Sequence, residues 1–199
     1  MDLGDMKTRI VAFIIVLNTF MICLLTFWSV QDRRALESMQ ADIRALKQAV
    51  DLEIKLREEI LPQIKKSASV LQYYNPELDD ATARAYAAKI YQCSDALVPH
   101  DILTALIVVE SSADHKAVSR RGALGLTQVL PELWNYSAEE LFDPYMNIEA
   151  GSAILKNYIE RYGLVEGLRA YNSGPQRRRN FDASASFAQR IVSLARRHF

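Results

Sequence analysis

Glu110 closes the run Ile102-Leu103-Thr104-Ala105-Leu106-Ile107-Val108-Val109, in which almost every residue is apolar. A helix of that composition is covered on nearly all sides. A carboxylate at its inner end is costly to keep charged, and desolvation raises its pKa toward that of a usable proton donor. The same position also suits a Glu that caps or pairs at a helix end, and residue type alone does not separate the two. Downstream, Ser119-Arg120-Arg121-Gly122-Ala123-Leu124-Gly125-Leu126-Thr127-Gln128-Val129-Leu130-Pro131 holds two glycines three apart, a backbone that turns tightly and lets a ligand approach closely. Later, Asn147-Ile148-Glu149-Ala150-Gly151 opens a helix and Ala170-Tyr171-Asn172-Ser173-Gly174-Pro175 closes one. Tyr171 reads either as a hydroxyl that orients Glu110 or as a core aromatic bonded to backbone. Gln128 and Asn172 supply amide donors and acceptors. Asp114 follows Glu110 by four residues and is expected to face solvent, so the pattern contains one convincing proton carrier.

The elements that must hold these residues are helices. Pro99 suits the first turn of the helix ending on Glu110, and Asp101 suits its positive end. Asp79 or Asp80 can cap a preceding helix through Ala85, Ala88 and Ile90. Upstream, Tyr73-Tyr74-Asn75-Pro76 reads as a turn and Pro62 as an interruption of a helix. Before that, Leu36, Met39, Ile43, Leu46 and Val50 alternate spacings of three and four, a seam that serves equally a lone amphipathic helix, a homodimer, or a contact with an envelope complex. Asp51 with Lys55 and Glu53 with Arg57 add favourable pairs along a solvated stalk. From Ile10 to Val30 the chain carries no charge. A helix there reaches about 30 Å at about 1.5 Å per residue, enough to cross a bilayer. The run is longer than a signal-peptide core and leaves through Phe27-Trp28-Ser29-Val30 rather than a small-residue cleavage site. Cys23 follows Phe20-Met21-Ile22, which does not favour lipid attachment. Lys7 and Arg9 before the span balance Arg33 and Arg34 after it, so charge does not orient it.

Bulk properties narrow the class. The 199 residues, 50% hydrophobic and 24% charged, are ordinary globular composition. Twenty-four basic and 24 acidic side chains give no net field toward a polyanion, which argues against nucleic acid as a partner. Two cysteines, Cys23 and Cys93, build neither a disulfide framework nor a metal site. His100, His115 and His198 have no metal-like companions, and no metal or cofactor is expected. Seven arginines and one acid, Asp182, lie between Arg169 and Phe199, a basic end that suits anionic polymer or lipid head groups as well as a plain solvated face.

Glu110-Ser111-Ser112 and the three blocks after it together resemble the soluble-lytic-transglycosylase (SLT) domain, a goose-lysozyme-like family that cuts bacterial peptidoglycan. The resemblance covers roughly residues 95–180. It implies a mainly α, lysozyme-like catalytic domain, and the uncharged run and the seam ahead of it add one transmembrane helix and a helical stalk. The expected division is a tail over 1–9, the anchor over 10–30, the stalk over 31–66, a linker over 67–77 and the catalytic domain over 78–199. Carried over residue by residue, Glu110 matches the catalytic acid, and Ser111, Ser119, Gly125, Leu126, Gln128, Tyr171 and Asn172 match substrate-binding positions. Ala113 and His115 stand where the family usually has an aromatic and a proline, and Thr127 replaces a common Met, a change expected to alter sugar packing in the cleft.

Ordinary glycosidases need two carboxylates, and only one is in sight. The family's chemistry fits that shortage. Glu110 protonates the glycosidic oxygen, the substrate's N-acetyl group assists, and Glu110 then takes the proton of the 6-hydroxyl, leaving 1,6-anhydro-MurNAc at the cut MurNAc-GlcNAc β-1,4 bond. The expected partners are peptidoglycan strands and, through residues 10–30, a lipid bilayer. The expected place is the inner membrane, single-pass, with the domain on the periplasmic side, in wall remodelling, an envelope machine or a phage. A lysozyme-type hydrolase and an inactive glycan-binding scaffold are the competing readings.

Overall fold

A computed structural model describes residues 3–174 and 182–199. Pro175 and the arginines at 177–179 of the basic run, together with Met1 and Asp2, lie outside the described residues. Helices make up the described chain, and its extended pairing is confined to two isolated bridges, Val118 with Leu124 and Leu124 with Val129.

The chain divides into two compact units, Met1–Leu56 and Arg57–Phe199. The first is a single helix, α1 (Leu3–Lys55). Its residues from Phe13 to Val30 present exposed Phe, Ile, Val, Leu and Trp side chains, and the helix is long and apolar enough to cross a membrane. Leu36, Met39, Ile43, Leu46 and Val50 are exposed as well.

In the chain that follows, the α-helical winding is interrupted just ahead of Pro62, as expected. The winding loosens to a π turn over Leu56–Ile60, and α2 (Leu61–Tyr74) begins with Pro62 in its first turn. No intrahelical donor is needed there, so the missing N–H costs nothing. Residues 67–77, expected to be a linker, form instead the second half of α2 and the turn after it. Ser67, Ala68, Val70 and Leu71 are buried. The reason is packing. Val70 and Leu71 join the main core, and Ala68 meets Ala83 and Ala87 where two helices approach on small residues. The compact unit therefore includes α2 rather than starting at residue 78.

Next, α3 (Asp80–Gln92) is capped by Asp79, whose carboxylate accepts from the Thr82 N–H at 3.0 Å and the Thr82 hydroxyl at 2.6 Å. The central helix α4 (His100–Ser111) follows Pro99 as its N-cap, and its seven residues from Ile102 to Val108 are all buried. Each large aliphatic side chain among them contributes about 1.5–3 kcal/mol by leaving water, so α4 is the axis against which α2, α3 and α9 pack. A short α5 (Pro131–Trp134) and α6 (Ala138–Phe142, with a capping box of Ser137 and Glu140) lead into α7 (Pro144–Tyr162). The latter opens at Pro144, three residues ahead of the Asn147 block, because Asp143 caps it by accepting from the Tyr145 and Met146 N–H groups. Finally α8 (Leu164–Ser173) packs on α7 and on α9 (Asp182–His198).

Candidate active site

Between α4 and α5 the chain has no regular structure, yet it is held on four sides. It leaves α4 through two left-handed residues, Ser112 (φ 54°) and Ala113 (φ 62°). The Asn75 amide donates to the Ala113 carbonyl and ties this turn to the end of α2. From α4, the Ser111 hydroxyl donates to the Leu126 carbonyl at 2.8 Å. From α8, the Tyr171 hydroxyl donates to the Thr127 carbonyl at 2.8 Å. From α7 comes the largest share. The fully buried Asn147 side chain accepts from the Thr127 N–H and hydroxyl, both at 2.7 Å, and donates to the carbonyls of Leu124 and Leu141, both at 2.9 Å. Gly125 sits over this amide at φ +74°. A Cβ there would lie 2.3 Å from Asn147 Nδ2 and 2.5 Å from the Leu141 carbonyl, so only glycine fits.

The loop's outer half is closed by Ser119, whose hydroxyl oxygen accepts from the Ala123 N–H at 2.9 Å and the Arg121 N–H at 3.3 Å. Gln128 occupies the left-handed region at φ 54°, and its amide nitrogen donates to the Ala117 and Gly125 carbonyls at 3.1 and 3.0 Å. Its side-chain carbonyl is the part left to a ligand.

This framework walls a hollow of about 210 Å³ lined by Glu110, Ser119, Arg121, Ala123, Gln128, Leu130, Tyr171 and Asn172. Glu110 is the one carboxylate among these lining residues. Burial pushes its carboxyl from 4.5 up to about 8, and the Arg190 guanidinium pulls weakly the other way. Burial also drives the Tyr171 hydroxyl far above its ordinary range, with the Glu110 charge adding to it. A carboxyl with that pKa is protonated near neutral pH and is poised both to give and to take a proton. Asp114 is exposed and caps the Lys116 N–H, away from this chemistry. The hollow runs on into a second one of about 110 Å³, where Leu133, Trp134, Ile154 and Tyr158 join Gln128, Tyr171 and Asn172. Trp134 stands edge-on to Tyr158 with ring centroids 6.0 Å apart.

Of the residues expected at the site, the hollow brings together Glu110, Ser119, Gln128, Tyr171 and Asn172. Three others need correction. Leu126 has no exposed surface and packs in the main core, Gly125 is buried against Asn147, and the Ser111 hydroxyl is spent on the backbone of Ile107 and Leu126. These three hold the wall in place instead of presenting groups to a ligand. Thr127 is corrected likewise: it is fully buried, bonded to Asn147 and packed on Gly151, where a Cβ would meet its hydroxyl oxygen at 2.4 Å. The Tyr171 hydroxyl takes the backbone partner that was one of its two readings. Sequence reasoning assigned no role to Arg121, Trp134 or Tyr158. Trp134 carried a usable signal, since Pro131 starts a new helix immediately after the glycine block and brings that ring back over the loop.

An all-helical domain with a half-buried acid at the end of its central helix, facing a hydrogen-bonded loop across a cleft, defines the lysozyme-like class of folds. The fold is similar to that of an inactive mutant of the lytic transglycosylase Slt from Pseudomonas aeruginosa, with a TM-score of 0.54 and 22% identity over 70% of this chain and 30% of that one. A transglycosylase of Enterobacteria phage PRD1 is 33% identical over 75 residues, 37% of this chain and 28% of the phage protein. The chain thus spans less than a third of the length of either relative. The family model of the transglycosylase SLT domain matches residues 87–192, and the chain belongs to that family.

Proposed function

We propose that this protein is a membrane-anchored lytic transglycosylase that cleaves the MurNAc-GlcNAc β-1,4 bond of peptidoglycan without water. The observation that carries the reading is the solitary Glu110 carboxyl, raised to about 8, in a cleft whose described lining contains no second acid. A hydrolase with two carboxylates has nowhere in that lining to place its water-activating partner. Family membership and the similarity to transglycosylases support the same substrate class.

In this mechanism Glu110 gives its proton to the glycosidic oxygen as the C1–O bond breaks. The carbonyl oxygen of the substrate's N-acetyl group bonds to C1 and balances the positive charge that develops there. The leaving strand departs as a neutral alcohol, and Glu110 is left as a carboxylate. It then removes the proton of the 6-hydroxyl, whose oxygen displaces the N-acetyl oxygen from C1. The product is 1,6-anhydro-MurNAc, and Glu110 is protonated again. One residue alternating between acid and base is efficient when its pKa lies near the working pH. Ser119, Gln128 and Asn172 supply polar groups for sugar hydroxyls, and Trp134 and Tyr158 supply a face for a pyranose ring.

The uncharged run of α1 serves as the anchor, placing the domain on the outer side of a cytoplasmic membrane where peptidoglycan lies, for wall remodelling or local opening by an envelope machine or phage. The test is mass spectrometry of peptidoglycan digested by the full chain in detergent, beside Glu110→Gln. Anhydro ends, one water lighter than reducing ends, with activity lost about 10²–10⁴-fold in the variant, are expected. Reducing ends would make it a lysozyme, and no cleavage by the wild type would leave a glycan-binding scaffold.

A further inference from the structure

Between α4 and α9 lies a second groove of about 330 Å³ that the proposed chemistry does not use, lined by Tyr74, Val108, Val109, Ser112, Arg190, Ser193, Leu194 and Arg197. Its composition is uneven. Val108, Val109 and Leu194 make an apolar wall, Ser112 and Ser193 offer hydroxyls, and both charged residues are arginines. Among the described residues neither Arg190 nor Arg197 has an anionic partner within ion-pair distance, although four other cations of this domain, Arg84, Lys89, Lys156 and Arg169, are paired. The Tyr74 hydroxyl is held at 3.3 Å by His198 Nε2, which fixes that end of the wall.

Resting on the lytic transglycosylase reading, we propose that this groove binds the acidic peptide stem of the peptidoglycan strand, with Arg190 and Arg197 taking two of its carboxylates. Guanidinium is the side chain whose fork matches a carboxylate, and it loses less than an ammonium on leaving water. The two arginines stand two helical turns apart on α9, about 10 Å along its axis. That is about three residues of extended peptide, so two carboxylates on one short peptide can meet both forks together, while the aliphatic parts of the peptide lie on Val108, Val109 and Leu194. The groove lies near the cleft, although no residue lines both. Val109 precedes Glu110 on α4, Ser112 follows just past the helix end, and Arg190 is near enough to act on the Glu110 carboxyl. A peptide branching from a sugar in the cleft therefore has a short path to it. A simple cationic surface for lipid head groups would not require this half-apolar wall.

Arg197, rather than the Arg190 whose guanidinium acts on Glu110, is the residue to change. The full chain in detergent is titrated with an acidic tetrapeptide released from peptidoglycan by an amidase, and with the same peptide amidated at its carboxyls. Cleavage rates are measured in parallel on strands with their peptides and on strands stripped of them. The expected result is that Arg197→Gln and carboxyl amidation each weaken peptide binding by about tenfold, in the range of losing one charge-assisted contact. KM should then rise on peptide-bearing strands alone, with kcat retained, and Arg197→Lys should restore part of the binding. Peptide binding unchanged by Arg197→Gln overturns the groove, as does an equal loss of activity on both kinds of strand. Wild-type chain that binds the peptide through Arg197 yet cleaves neither strand supports the groove and removes the lyase reading instead.

Discussion

Replacing Glu110 by glutamine should change the pH dependence of stability more than stability itself. In the folded chain the Glu110 carboxyl holds its proton up to about pH 8, whereas in the unfolded chain it releases it near 4.5. The folded form therefore binds more protons across that window, and unfolding becomes easier as pH rises through it. At about 1.4 kcal/mol per pH unit the full penalty above pH 8 is roughly 5 kcal/mol, and at pH 7 roughly 3 kcal/mol. Both are upper bounds, because the cleft side of the carboxyl meets water. The amide introduced by Glu110→Gln mimics the protonated acid in shape and carries no such penalty. For a domain of this size about 1 kcal/mol shifts the melting temperature by about 2–4 °C. The melting temperatures of wild type and Glu110→Gln, followed by circular dichroism on the full chain in detergent, should nearly coincide at pH 4.5. They should diverge in favour of the variant by several degrees at pH 7, and further at pH 8.5. A gap that stays constant from pH 4.5 to 8.5 would refute desolvation as the source of the raised pKa, and with it the case for Glu110 as the acid.

Other consequences follow from the same geometry. Because Glu110 must begin each cycle protonated, kcat/KM in a pH profile should hold through neutrality and fall about tenfold per unit above pH 8; a profile falling already above pH 5 would contradict this. Asn147→Ala removes four hydrogen bonds from a fully buried site and takes the partner from the Thr127 N–H and from the Leu141 carbonyl at the end of α6. It should cost about 3 kcal/mol or more by denaturant titration and depress activity without touching the cleft. Tyr171→Phe loses only the bond to the Thr127 carbonyl, so it should cost about 1 kcal/mol and lower the rate modestly. A loss as large as that of Glu110→Gln would instead give the hydroxyl a direct part in the chemistry.

The central helix was legible because its signal is one-dimensional: a run of apolar residues, a proline at the start and a carboxylate at the end need no knowledge of the rest of the chain. The Asp79 cap was readable for the same reason. Assigning residues 67–77 to a linker failed on a tertiary fact. Val70 and Leu71 are ordinary in sequence and become core only where α2 meets α4 and α3. Pro62 did mark an interruption of the helix, but nothing local announces that the interruption takes the form of a π turn.

The site residues divide along a physical line that the motif itself does not draw. In the glycine block, side chains that point into the domain, Leu126 and Thr127 with the bare backbone of Gly125, meet the core, Asn147 and Gly151, and their identities are set by packing. Side chains that point outward, Ser119 and Gln128, reach the cleft, and even these are hydrogen-bonded to their own loop before any ligand, Ser119 as acceptor and Gln128 as donor. A motif recognised by spacing therefore mixes two kinds of constraint, because a wall built without sheet or helix must satisfy its own buried amides before it can face a substrate. Glu110 is the exception that identifies the site. It has no hydrogen-bonding or ion-pair partner among the described residues, and a half-buried carboxyl left in that state is stabilising to nothing in the fold. The proposed reaction accounts for a carboxyl kept in that state.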